Sequence, residues 1–395
     1  MSAAAGRRLR LGIVFMKYPY PSETFAGRDV RAYRSLGHNV DAYDLKTVGS
    51  PKQFGADLFG ALRGSPGLPA LLQLARSMFQ EPGWDNRQRM KCLALLPAAA
   101  VTAHRLHKSQ PDVLHLFWGH YPALVAELCH HTMPATQQSM FLGAYDLWLK
   151  LPISKRVASR IGHVFTHAND NVDELAQFLG DEVDVTVIHR GIDLEQYPVE
   201  EVQNAVRKPR VFAAGRLVDV KGFDDVIEAF VEVVKARPDA ELMIAGDGPD
   251  RERLETMVSE LGLTNEVTFL GWIDEEEVPP LLMTSRVSVL LSRKPGERLP
   301  NVLKEAMAAG CVVVTTPTPG AHELVIDGET GFMVDHRDCT AAAQAMLAGL
   351  DEQTSEVIAA QAIRAVRDGF DARKAAERYV ERWGDRALTA PKALR

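Results

Sequence analysis

Segments that read as strands and segments that read as helices alternate about every 25 residues along almost the whole chain, the pattern of parallel sheets with helices on both faces. LRLGIVFM (9–16) opens the series, a helix is predicted from a cap at Ser22 to about Leu36, where Gly37 stops it, and NVDAYDL supplies the next strand. Such a unit begins a doubly wound sheet, whose ligand crevice lies at the carboxyl ends of the strands. At 395 residues the chain exceeds a usual domain, and 46% hydrophobic with 25% charged residues suffices for two cores. The expected fold class is α/β, with two doubly wound Rossmann-like domains.

The run Ser292–Thr316, SRKPGERLPNVLKEAMAAGCVVVTT, carries the most chemistry. Pro300 suits a first helical turn and good helix formers follow, so a helix is predicted over about 300–309, before Gly310. Val302, Leu303, Ala306, Met307 and Ala309 mark its buried side with Glu305 among them, and CVVVTT reads as the next parallel strand. Glu297 falls on the loop entering the helix. A carboxylate beside an apolar helix face can accept paired hydrogen bonds from a vicinal diol such as a ribose, and the loop carboxylate could grip sugar hydroxyls in the same way. Taken alone, two glutamates at this spacing are more often solvated surface.

Together, E-x7-E and PNVLKEAMAAG resemble the donor-site signature of retaining glycosyltransferases of family 4, which have the GT-B fold of two Rossmann-like domains facing an interdomain cleft. The resemblance implies transfer of a sugar from a nucleoside-diphosphate sugar to an acceptor hydroxyl with retained configuration. By their places in the signature, Glu297 is a candidate catalytic residue, and Glu305, Arg298, Asn301, Val302 and Leu303 are candidate donor contacts.

The second half carries the likeness strongly. VFAAG is a strand, and Val226, Ile227, Phe230, Val233 and Val234 give the following helix one apolar face. Arg216 and Lys221 flank the turn between them, where a planar fork and a point charge can converge on a diphosphate. GRLxxxKGFD matches the family, so both are catalytic candidates. GDGPDR lacks the third glycine of a dinucleotide fingerprint. Gly246 and Trp272 fit turn and packing roles better than a nucleobase site. Glu323, after Gly320, occupies a position that family members use near the donor. The family's last helix, here about 371–390, returns to the first domain, so the expected domains are 1–195 with that helix and 196–370 for the donor. Residues 200–210 read as a charged linker.

The first half matches in patches. YPYPSETF looks like the opening of the polysaccharide-building branch, and Pro19–Gly27 would line the crevice, with Ser22, Thr24 and Gly27 at a helix start suited to an anion. Residues 51–110 read as a helical layer covering the sheet; a membrane-resting layer is the alternative. PDVLHLFWGHYPA brings His115, Trp118 and His120 towards a strand end, where the histidines are as readily satisfied internal groups as site residues. Where the family has a histidine ahead of its aromatic-Asp pair, this chain has Gly143 followed by Ala144, Tyr145 and Asp146; Phe117 replaces the second histidine of its HxH. Either the donor sugar lacks an ordinary 6-hydroxyl, or the role has moved to His120 or Asp146. IHRGIDLEQY resembles the domain-joining signature, with Gly191 permitting a tight backbone path.

Net charge is −7, divided as +5 over residues 1–190 and −12 beyond. The basic half could face phospholipid headgroups or a diphospholipid-linked acceptor, although a solvated surface is the plainer reading. No apolar run approaches the roughly 18–20 residues of a membrane span. Four scattered cysteines, Cys92, Cys129, Cys311 and Cys339, fit free thiols in a reducing cytoplasm, with peripheral contact at the inner membrane face left open. No Asp-x-Asp pair occurs, so neither an obligatory metal nor another cofactor is expected; the nucleotide sugar is substrate. The expected partners are that donor and a glycan, lipid-linked or small-molecule acceptor, with no nucleic acid. A noncatalytic nucleotide-sugar-binding protein or a sugar-nucleotide epimerase on the same fold remains the alternative.

Overall fold

The computed structural model describes residues 8–19, 24–46, 49–293 and 297–384. The chain divides into two compact units, residues 1–188 with 373–395 and residues 189–372. Each is a parallel sheet with helices on its faces, as the alternation predicts.

In the first unit, β1 (Arg10–Phe15), β2 (Asn39–Asp44), β3 (Val113–Leu116) and β4 (Gln137–Met140) form one sheet in the order β2-β1-β3-β4. A second ladder pairs β5 (His163–Thr166) with β6 (Asp184–Val187), and a parallel bridge between Phe141 and Phe165 connects it to the end of β4. β1 is buried from Leu11 to Phe15, as a central strand covered on both faces must be. Over it lies the helix Asn86–Ser109, whose Ala99, Ala100 and Ala103 let the backbone come close to the sheet. The helix Ala372–Gly384 also packs in this unit: Tyr379 and Trp383 are buried against Tyr33 and His115, and Trp383 Nε1 donates to Ser139 Oγ at 2.9 Å. The predicted extension beyond 384, like the predicted cap Ser22, lies outside the described residues.

The second unit contains β7 (Arg210–Ala214), β8 (Glu241–Ala245), β9 (Val267–Gly271), β10 (Val287–Leu290), β11 (Val312–Thr315) and β12 (Phe332–Met333) in the order β12-β11-β10-β7-β8-β9. Read from β9, this is the Rossmann order, with the reversal between β7 and β10. The expected linker is more structured than its composition suggests. Val199–Asn204 is helical, and Arg207 donates to Ser285 O at 2.9 Å and Ala309 O at 2.6 Å. Gly191 is required by close approach: a Cβ there would lie 2.1 Å from Ala372 N, where Ile192 bridges Asp371.

Among the described residues no helix is long and apolar enough to cross a membrane. All four cysteines are free, and burial pushes the Cys129 and Cys311 thiols up to about 12, which excludes them as nucleophiles at neutral pH.

Candidate functional site

In a doubly wound sheet the ligand crevice opens where neighbouring strands send their connections to opposite sides. In the second unit that point lies beyond the carboxyl ends of β7 and β10, and both strands deliver predicted site residues there. After β7 the chain makes a tight turn, Val218 N donating to Arg216 O and Lys221 N to Val218 O, both at 2.9 Å. Gly222 then takes φ 68°, and a Cβ on it would lie 2.1 Å from Leu291 O. The glycine of the KGF triplet is therefore where the β7 turn touches the end of β10. Lys221 Nζ is paired with Glu297 Oε2, and Arg216 is exposed on the same turn.

Arg293 went unassigned in the sequence, yet it holds the two loops in register. Its guanidinium reaches Asp225 Oδ2 at 2.9 Å, Asp224 Oδ1 at 2.8 Å and Asp219 O at 3.2 Å, while its backbone N–H donates to Val220 O. Burial acts to lower its pKa, but the hydrogen bonds it donates to Asp225 and Asp224, with their negative charge, outweigh that and hold it above the ordinary value.

Following Glu297, Leu299 adopts φ 51° with its side chain buried, a conformation costing about 1–3 kcal/mol in a bulky residue, and Pro300 then caps the helix Asn301–Ala308. The half-buried Glu305 lies one turn into that helix. Asn301 and Val302 are half-buried near its start; Leu303 is buried, packing the helix inward. Arg298 is half-buried on the entering loop. Lys304, also unassigned, is almost fully buried and donates to Arg190 O at 2.8 Å, with its ammonium 5.3 Å from the centroid of Phe370. A cation on the apolar side of a helix was the one legible sign of it. Glu323 lies on a short turn opened by Gly320 at φ 81° and accepts from His189 Nε2 at 2.8 Å.

The remaining predicted residues belong to the first unit. His120 and Asp146 are both buried, with His120 Nδ1 3.0 Å from Asp146 Oδ1. Asp146 sits in the first turn of the helix Ala144–Leu149, and its other oxygen accepts from Gly143 N at 2.8 Å. One carboxylate thus caps a helix and orients an imidazole. Gly143 has a local cause: a Cβ there would lie 2.8 Å from Trp118 Cζ3 and 3.1 Å from Phe141 Cε1. The indole of Trp118 occupies the room that a side chain at 143 would need. His115 is an internal group, 2.9 Å from Ser139 Oγ and packed on Tyr379 and Trp383. Gly27 lies in the first turn of the helix Thr24–Ser35; of its expected companions, Ser22 is outside the described residues.

Sucrose-phosphate synthase from Thermosynechococcus elongatus superposes over 97% of this chain and all of its own, with TM-score 0.71 at 19% identity. Anabaena HepE, solved with UDP and glucose, covers 95% of this chain and 99% of its own, with TM-score 0.67 at 17% identity. The fold is GT-B. Within this GT-B chain, residues 199–366 match the family Glycosyl transferases group 1, a stretch that includes Arg216, Lys221, Glu297, Glu305 and Glu323. The GDP-mannose-dependent alpha-(1-6)-phosphatidylinositol monomannoside mannosyltransferase of Mycolicibacterium smegmatis is 32% identical over 211 residues. That match covers 49% of this chain and 55% of the relative, so the chain spans little more than half the length of this curated relative.

Proposed function

We propose that this GT-B chain is a nucleotide-sugar-dependent glycosyltransferase of the family 4 type, which retains anomeric configuration and needs no divalent metal. The observation that carries the proposal is the meeting of Lys221 and Glu297 at the strand-order reversal of the unit that matches the group 1 family. Arg216 and Lys221 bind the diphosphate and offset charge developing on the leaving group. Glu305 accepts from the ribose diol, while Glu297 and Glu323 hold sugar hydroxyls; Arg298, Asn301, Val302, Leu303 and Gly27 complete the donor contacts.

In the transfer step the bond from the anomeric carbon to the β-phosphate oxygen breaks. The acceptor oxygen bonds to that carbon on the same face, and its proton passes to a phosphate oxygen. His120 or Asp146 takes over, beside the donor sugar and the reacting centre, the role of the family histidine whose place Gly143 holds. The acceptor is a glycan, a lipid-linked sugar or a small molecule, reached in the cytoplasm or at its membrane face.

The first test is thermal shift of the full chain against UDP-, GDP-, ADP- and dTDP-sugars, a panel that includes the donors named for its relatives. Transfer or hydrolysis of the stabilising donor, with EDTA present and the product anomer read by NMR, then tests chemistry. Binding without turnover would assign the chain as a noncatalytic nucleotide-sugar-binding protein. Acceptor-free conversion of the donor to an epimeric sugar, rather than its hydrolysis, would assign the chain as an epimerase.

A further inference from the structure

The exposed large apolar side chains of the first unit are concentrated in three helices that run close to one another. On Leu68–Gln80, Leu71, Leu74 and Met78 are buried, yet Leu68, Leu72 and Phe79 form a second apolar stripe along the outer side. Phe79 is 64% exposed, and Arg76 lies within the same stripe. The neighbouring helix Asn86–Ser109 continues the pattern, with Met90 64% exposed between the exposed cations Arg87 and Lys91. Arg89 joins the two helices, donating to Met78 O at 2.9 Å with its guanidinium 5.2 Å from the Phe79 ring centroid. Gln88 Nε2 donates to Leu149 O at 2.9 Å and so places the helix Ala144–Leu149 beside them; there Trp148 is 75% exposed, with Tyr145 packed on it.

Charge gives this face a direction. Residues 51–91 contain six Lys and Arg against three Asp and Glu. The three acids are committed within the unit, Asp57 to Arg105, Glu81 to Arg156, and Asp85 to the cap of the helix Asn86–Ser109. Cations interleaved with leucine, phenylalanine, methionine and tryptophan suit an interface whose headgroups are anionic and whose interior is apolar. A protein partner would favour a patch with its charges at the rim.

We propose that this face is a docking surface for an anionic lipid bilayer, with Leu72, Phe79, Met90 and Trp148 entering the interface and Arg76, Arg87 and Lys91 meeting the headgroups. The assignment is independent of the glycosyl-transfer reading and gives a specific surface to the membrane-resting alternative for residues 51–110.

The test is flotation of the full chain with phosphatidylcholine vesicles containing about a third phosphatidylglycerol, against phosphatidylcholine alone. Binding is expected only to the anionic vesicles, with a blue shift in tryptophan emission that Trp148→Phe diminishes. The pair Leu72→Glu with Phe79→Glu should weaken it at least about tenfold, and Arg76→Glu about fivefold or more. Val357→Glu, at an exposed apolar position of the second unit, should leave it unchanged. Equal binding to both vesicle types, absence of binding, or full retention by the Leu72/Phe79 variant would overturn the assignment, as would concentration-dependent dimerisation abolished by that variant. Because every substituted side chain is exposed, an unchanged melting temperature confirms that the fold is intact.

Discussion

Lys221 and Glu297, 76 residues apart in sequence, are ion-paired across the turn after β7 and the loop after β10. Each side chain is about four-fifths buried but still reaches solvent, so desolvation offsets most of the attraction and the net contribution of the pair to stability is small. Substituting Lys221 should therefore act on turnover rather than folding. Lys221→Ala and Arg216→Ala are expected to lower kcat about a hundredfold to a thousandfold with little change in melting temperature. Steady-state kinetics beside thermal unfolding separate the two, and parallel losses would reassign the lysine as structural.

Glu305→Ala should instead weaken donor binding. A bidentate, charge-assisted contact with a diol is worth enough for a tenfold to hundredfold rise in Kd, by the rough magnitude of such hydrogen bonds. Titration calorimetry with the stabilising nucleotide sugar measures it; unchanged donor parameters in all three variants would remove the site.

Gly143→His is not expected to restore a family-like site. Its Cβ would begin 2.8 Å from Trp118 Cζ3, so the protein should lose about 1–3 kcal/mol of stability. Adding Trp118→Ala should recover part of that loss, and the coupling from a double-mutant cycle by denaturant unfolding decides the point. Additive effects would mean that Trp118 is not what excludes a side chain there.

At Gly246, φ is 130° and a Cβ would lie 1.9 Å from Gly215 O, because the turns after β7 and β8 abut through backbone. Gly246→Ala should cost about 3 kcal/mol or prevent folding. Gly262→Ala, at φ 71° with open space around the position, should cost only about 1 kcal/mol. Melting temperatures of the two variants test the order.

His163 is buried on β5, and burial first, then the charge of Arg382, lowers its pKa from the ordinary value. A histidine favoured as neutral in the fold stabilises fully above its unfolded pKa of about 6.5 and loses that contribution as pH falls towards the folded value. Stability should decline from pH ~6.5 towards pH ~5, before most carboxylates titrate, and less steeply in His163→Gln. Equal slopes for the two proteins would exclude this histidine as the source.

How much of the molecule was legible in its residues can be judged from particular cases. The alternation of periods forecast two doubly wound sheets, and Pro300 with Gly310 bracketed a helix found at Asn301–Ala308. These are local properties, because strand and helix periods, caps and breakers act within a few residues. KGF and E-x7-E located the turns after β7 and β10 for the same reason.

Contacts between distant residues were not legible. That Arg293 joins Asp219, Asp224 and Asp225, that Lys304 reaches Arg190 O, and that Trp118 excludes a side chain at 143 depend on which strands are neighbours. The outer stripe Leu68, Leu72 and Phe79 was equally hidden, since the helix has two apolar faces and composition does not tell which one the core covers. The sequence by itself determined the elements and the positions of the chemically capable residues. Tertiary structure decided which of those residues meet, because sheet order and backbone approach are set by packing over the whole unit, not by neighbours in the chain.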